Sequence, residues 1–223
     1  MAAPPLVLPG LYLPDAGHVD EHVHGSARLW ADVVRPGAVT VLVPDLSRDV
    51  VLGPDGPLLT ARTTALTRVR HDARTATAGV RLPITATDVR VDTAWEGWRA
   101  RRAPEDRLDD ALAHGAITWT EDPLLAACLH GLGSRSAGVA EVAGAVFLSE
   151  RTLRRRTHRA LGVGPVHVRR VLRLHRLVDE LRRHPVATAV QEAGYADQSH
   201  AARDVRSLAG MTLRQLALLR MAE

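Results

Sequence analysis

The chain contains no lysine: all 29 of its basic residues are arginine. That absence points to a genome with GC-rich codon usage and carries no functional information by itself. Cysteine is nearly absent too. The single Cys128 excludes an intramolecular disulfide framework and fits a reducing compartment, and its place beside Leu124, Leu125 and Leu129 reads as a buried helix position. No apolar run approaches the roughly 18 residues that a membrane span needs, and Met1 to Pro14 lacks a basic n-region. A soluble, cytoplasmic protein with no membrane partner is expected. Nucleophile elbow, phosphate loop and paired zinc motif are all missing, so neither an enzyme nor a cofactor is expected. Aromatic residues make up only 3% of the chain, and all four tryptophans (Trp30, Trp95, Trp98, Trp119) lie in the first 119 residues.

What is present is an ordinary globular balance, 46% hydrophobic and 24% charged over 223 residues, enough for one large or two small domains. The charge is uneven. Residues 1–120 hold 13 arginines against 15 Asp plus Glu, whereas residues 121–223 hold 16 against 10. Residues 151–183 alone hold 11 arginines against Asp179 and Glu180, a density that suits a polyanion partner; a solvated helix face would give the same count. Ala38-Val-Thr-Val-Leu-Val43 and Asp49-Val-Val-Leu52, the latter closed by Gly53-Pro-Asp-Gly-Pro57, carry strand and turn signals. From Pro123 the periodicity becomes helical. The expected organisation is α+β: a β-rich domain over 1–110, a linker over 111–122 and an all-α domain over 123–223.

The helical part repeats itself at an offset of 48 residues. Val142 matches Val190, Ala145 matches Ala193, Phe147 matches Tyr195, Ser149 matches Asp197 and Gly162 matches Gly210. After each polar cap one apolar face recurs, Leu153, Thr157, Ala160 and Leu161 in the first copy, Ala201, Val205, Leu208 and Ala209 in the second. Each copy therefore reads as helix, tight turn, helix, closed by a glycine suited to a left-handed cap. Opposite the buried face, the first copy displays Arg151, Arg154, Arg155 and His158; the second displays Ser199, Arg203 and Arg206, with Gln198 in the first turn. Arginine reads guanine bidentately and glutamine reads adenine, so these side chains suit a major groove. Arg156 and Arg159, also read as outward, suit phosphates. Between the copies Val166 to His184 reads as one amphipathic helix, opened by Pro165 and closed by Pro185. It shows no sustained heptad of the kind a dimerising coil needs.

Residues 123–220 resemble the DNA-binding domain of AraC-type transcription regulators. The motifs that carry the resemblance are Leu148-Ser-Glu-Arg-Thr-Leu-Arg-Arg-Arg156, Leu161-Gly-Val-Gly-Pro165, Arg173-Leu174, Ala193-Gly-Tyr-Ala-Asp-Gln-Ser-His200, Arg203 and Leu208-Ala-Gly-Met-Thr212. The resemblance implies two helix-turn-helix units joined by a long helix, and it places Arg151, Arg154, Arg155, Gln198, Ser199 and Arg203 at base- and backbone-contacting positions. Thr157, Ala201, Val205 and Leu213 depart from the family, which has phenylalanine at the first three positions and proline at the last. A buried Thr157 hydroxyl needs a partner.

The first domain offers less. Val43-Pro-Asp45 with Gly53-Pro-Asp55, and Gly79-Val-Arg-Leu82 after them, are similar to the β-rich domain of an uncharacterised group of such regulators. The resemblance implies a domain that senses a small-molecule effector, forms a homodimer, or both. A second reading is a constitutive regulator whose first domain only dimerises or contacts RNA polymerase. A third is a metal-dependent small-molecule enzyme fused to the DNA-binding unit, because His18, His22 and His24, beside Asp15, Asp20 and Glu21, match the donor types that hold Zn, Ni or Fe. A solvated polar loop explains the same histidines without a metal.

Overall fold

A computed structural model of the chain describes residues 22–24, 26–34, 36–37, 39–53, 55–70 and 75–221. In chain order the strands are β1 (His22–His24), β2 (Ala27–Val34), β3 (Val39–Leu42), β4 (Arg48–Gly53), β5 (Gly56–Leu59), β6 (Thr67–Arg70), β7 (Thr75–Leu82) and β8 (Ala86–Val91). Helix α1 (Pro104–Ala113) and β9 (Ile117–Glu121) follow, and then helices only: α2 (Pro123–Leu132), α3 (Val139–Ala145), α4 (Glu150–Leu161), α5 (Pro165–Leu181), α6 (Val186–Glu192), α7 (Gln198–Ala209) and α8 (Leu213–Met221). The chain is α+β, β-rich first and helical second.

Contacts divide it into two units, the first being Met1–Val41, Ser47–Arg62 and Arg68–Pro123. Within it β1-β2-β7-β4-β5 form an antiparallel sheet in that order. Strand alternation sends Leu29, Val50, Leu52, Ala78, Val80 and Leu82 to one face, where Trp98 and Leu108 and Ala111 of α1 join them in a buried core. The other face is not simply polar and wet. Asp49 of β4 stands opposite Arg81 of β7, and both residues are buried. The Asp49 carboxylate accepts from Arg81 Nε at 3.1 Å, from Arg81 Nη2 at 3.3 Å and from Trp30 Nε1 at 3.2 Å. Residues 111–122, expected as a linker, hold the end of α1 and strand β9, which pairs with β8.

The second unit comprises Leu124–Glu223 together with Leu42–Leu46 and Thr63–Thr67. The motif Val43-Pro-Asp45 therefore belongs with the helices. Here the His175 Nε2–H donates to Pro44 O at 2.8 Å and the His167 Nε2–H to Thr64 O at 2.9 Å. Helix α5 is central: Val168, Val171, Leu172, Leu174, Leu177, Val178 and Leu181 are buried, and α4, α6, α7 and α8 all pack on it. It is shorter than expected, ending at Leu181 rather than His184. Pro185 disfavours helical backbone at the residue before it, and Arg183 and His184 turn instead to donate to Glu180 O. Cys128 is fully buried in α2. Among the described residues no helix is long and apolar enough to cross a membrane.

Candidate nucleic-acid interface

Helices α3 and α4, and again α6 and α7, form the two expected helix-turn-helix units, and their ends are set by local chemistry. Ser149 Oγ accepts from Thr152 N–H at 3.2 Å to start α4, and Asp197 Oδ1 accepts from His200 N–H at 2.7 Å to start α7. Gly162 and Gly210 end them in the left-handed region, at φ 76° and 67°. Leu153, Thr157 and Leu161 of α4 are buried, as are Ala201, Val205, Leu208 and Ala209 of α7. The Thr157 hydroxyl donates to Arg154 O at 3.0 Å, which meets its need for a partner. A Thr212–Gln215 capping box opens α8 and lets the buried Leu213 stand at its first position.

The opposite faces are exposed. On α4 these are Arg151, Arg154, Arg155, His158 and Arg159; on α7 they are Gln198, Ser199, Arg203 and Arg206. The first four, with Glu150, line one shallow groove of about 600 Å³. Arg156 is half-buried and not the outward residue its position suggested.

The two turns are not equivalent at the aromatic residue. Phe147 N–H donates to Gly144 O and Leu148 N–H to Ala143 O; in the second unit Gly194 donates to Gln191 O and Tyr195 to Val190 O. Both are Schellman closures of the preceding helix, and they align Phe147 with Gly194 and Leu148 with Tyr195. Phe147 thus takes the left-handed seat at φ 57° and is 97% exposed, whereas Tyr195 is 4% exposed. A phenylalanine there crowds its Cβ against the backbone. Phe147→Gly should raise stability by about 1 kcal/mol despite the added freedom of the unfolded chain; an unchanged or lowered urea midpoint would show that the side chain gains something in its exposed position.

Sequence reading missed the part of the site that α5 supplies. Arg170 Nε pairs with Asp204 Oδ1 of α7 at 2.8 Å. Arg173 lies over the Tyr195 ring, 5.2 Å from its centroid, with Nη1 3.2 Å from His200 Nε2. Burial, followed by the nearby Asp204 charge, pushes the Tyr195 phenol well above its ordinary range, so it remains neutral. Arg176 donates to Ala193 O at 3.1 Å and to Gly133 O, tying together the ends of α6 and α2. Burial, with Arg135 and Arg173 nearby, lowers its pKa. For Arg170 and Arg176 the only signal was the arginine density of 151–183, which does not say which face they occupy; Arg173 also stood in the Arg173-Leu174 motif, without an assigned contact.

Of the histidine cluster, His18 lies outside the described residues, and His22 and His24 fall in β1, where only the backbone is described.

A family profile described as a helix-turn-helix domain matches residues 142–217. No curated protein matches the chain. Among solved structures, the C-terminal domain of AraT, a response regulator from Geobacillus stearothermophilus, is 17% identical; the match covers 43% of this chain and 78% of that one, with a TM-score of 0.37. ToxT from Vibrio cholerae is 7% identical, with coverage of 87% and 98% and a TM-score of 0.47. A ToxT structure bound to (E)-4-(8-methylnaphthalen-1-yl)but-3-enoic acid is also 7% identical, with coverage of 87% and 99% and a TM-score of 0.48.

Proposed function

We propose that the chain, whose residues 142–217 match a helix-turn-helix profile, is a DNA-binding transcription regulator of the AraC type and not an enzyme, and that it reads two adjacent major-groove segments, one with α4 and one with α7. The observation that carries this reading is the duplication itself: two capped helices, each with a buried apolar face and an exposed stripe of Arg, His, Gln and Ser, joined by one helix of 17 residues. That helix is about 26 Å long at 1.5 Å per residue, long enough to hold two reading helices apart on a scale comparable with one duplex turn of roughly 34 Å. Arg151, Arg154, Arg155, Gln198, Ser199 and Arg203 serve base edges and the adjoining backbone, with His158 and Arg206 beside them and Arg159 on phosphate. The β-rich part modulates binding through a small molecule, a role supported by the family resemblance; titration of candidate effectors against fluorescence of its four tryptophans tests it.

Fluorescence anisotropy of the full chain on its own upstream DNA and on scrambled DNA, at two salt concentrations, tests the main reading. A preference of about 10³ or more for the upstream fragment is expected. Arg155→Ala should cost about 1 to 3 kcal/mol and relax specificity at a single base pair. A uniform loss on every sequence would make Arg155 a backbone contact instead.

A further inference from the structure

Val166, Arg169, Arg170 and Arg173 of α5 and His200, Arg203 and Asp204 of α7 line a cavity of about 480 Å³. We propose that this cavity seats one phosphodiester of the DNA backbone beside the segment met by α7, so that the connecting helix α5 is itself part of the DNA interface. The proposal rests on the DNA-binding reading above and adds Arg169, Arg170 and Arg173 to it.

Four guanidinium groups face a single carboxylate, whose Oδ1 lies 2.8 Å from Arg170 Nε while its buried Oδ2 has no hydrogen-bond partner among the described residues. Arg173 is held in place by the Tyr195 ring and by His200 Nε2. A guanidinium has no acceptor, so in this contact Arg173 is the donor and His200 Nε2 the acceptor. The two remaining cations are unspent: the guanidinium groups of Arg169 and Arg203 make no hydrogen bond or ion pair with any described residue. Such an excess of positive charge in one concavity, with donors already oriented, suits a phosphate.

Asp204 is buried and Arg203 is exposed, so the carboxylate marks the inner end and repels phosphate oxygens from it. The seat is left at the mouth, between Arg169 and Arg203. Arg203 belongs to the same exposed stripe of α7 as Ser199 and Arg206, so the mouth opens at the rim of the surface proposed to enter the groove. Small-molecule pockets are lined mainly by apolar and aromatic side chains; this one has Val166 alone, which favours a phosphate of a polymer held from outside.

Arg169→Ala tests the proposal in the full chain, since Arg169 supports no described contact. Anisotropy titrations of wild type and variant on the upstream and scrambled duplexes are compared at about 50 and 200 mM salt. Losing one phosphate contact reduces the salt slope by about 0.9, so the variant's disadvantage should shrink by about 3.5-fold between those concentrations, equally on both duplexes. Arg169→Lys keeps the charge and should keep the slope. A thermal melt matching wild type excludes unfolding as the cause. An unchanged slope in Arg169→Ala, with Arg155→Ala still losing specificity, overturns the phosphate seat and leaves the reader standing. Wild type that binds neither duplex removes the DNA-binding reading itself.

Discussion

Asp49→Ala is expected to destabilise the β-rich unit by about 3 to 5 kcal/mol, the cost of removing one partner from a buried ion pair. Asp49 and Arg81 are 32 residues apart in sequence, and their side chains are 12% and 5% exposed. The substitution strips Arg81 of the carboxylate that faces both its Nε and Nη2, and takes from Trp30 Nε1 its acceptor. The strand itself is spared. Asp49 N–H still donates to Thr60 Oγ1, and Thr60 N–H to Asp49 O. Urea unfolding followed by tryptophan fluorescence isolates the effect, because Trp30, Trp95, Trp98 and Trp119 all lie in this unit. Replacing both partners, Asp49→Ala with Arg81→Met, should recover most of the loss, since a buried pair exchanged for apolar groups is often close to neutral. A single-variant loss under about 1 kcal/mol would show that Arg81 is compensated by water or by another partner once Asp49 is gone, and that the pair contributes no more than a surface bridge.

The second large effect belongs to the helical unit. Leu174→Ala removes three carbons and their hydrogens from a side chain with 0% exposure near the middle of α5. The expected cost is about 2 to 5 kcal/mol, with the spread set by how far the neighbours collapse into the cavity. What distinguishes the site is its reach. Because α4, α6, α7 and α8 all pack on α5, one cavity loosens both helix-turn-helix units at once. The far-ultraviolet helical signal should melt earlier while the tryptophan signal changes much less, which is also the check that the two units unfold as separate cooperative bodies. DNA affinity should fall on both segments together, unlike the single-base effect of Arg155→Ala. Tryptophan and helical signals moving in step would overturn that separation.

The residues that made the helical half legible act over short distances. A cap serine or aspartate meets a backbone N–H three residues on, a closing glycine is needed for its own φ, and a 3.6-residue period places Leu153 and Leu161 or Ala201 and Leu208 on one face. These interactions are complete within a dozen residues, so α4 and α7, their caps and their exposed stripes follow from sequence alone. Where the local rule had two solutions it misled. The 48-residue offset paired Phe147 with Tyr195, but the first turn closes on Phe147 itself and the second on Gly194, sending one ring to solvent and the other into the core.

What only the tertiary structure decided involves partners far apart in the chain. Asp49 and Arg81 stand in two separate sequence motifs, and only strand pairing set them opposite each other with Trp30 beside them. Leu42–Leu46 and Thr63–Thr67 looked like part of the β-rich domain, yet they belong with the helices, where His175 and His167 hold them. Arg169, Arg170 and Arg173 were one stretch of a charge excess until α7 lay against α5 and divided them into a paired, a braced and an uncommitted cation. Periodicity says which way a side chain leaves its own helix or strand; what it meets there depends on a second element whose approach no local window contains.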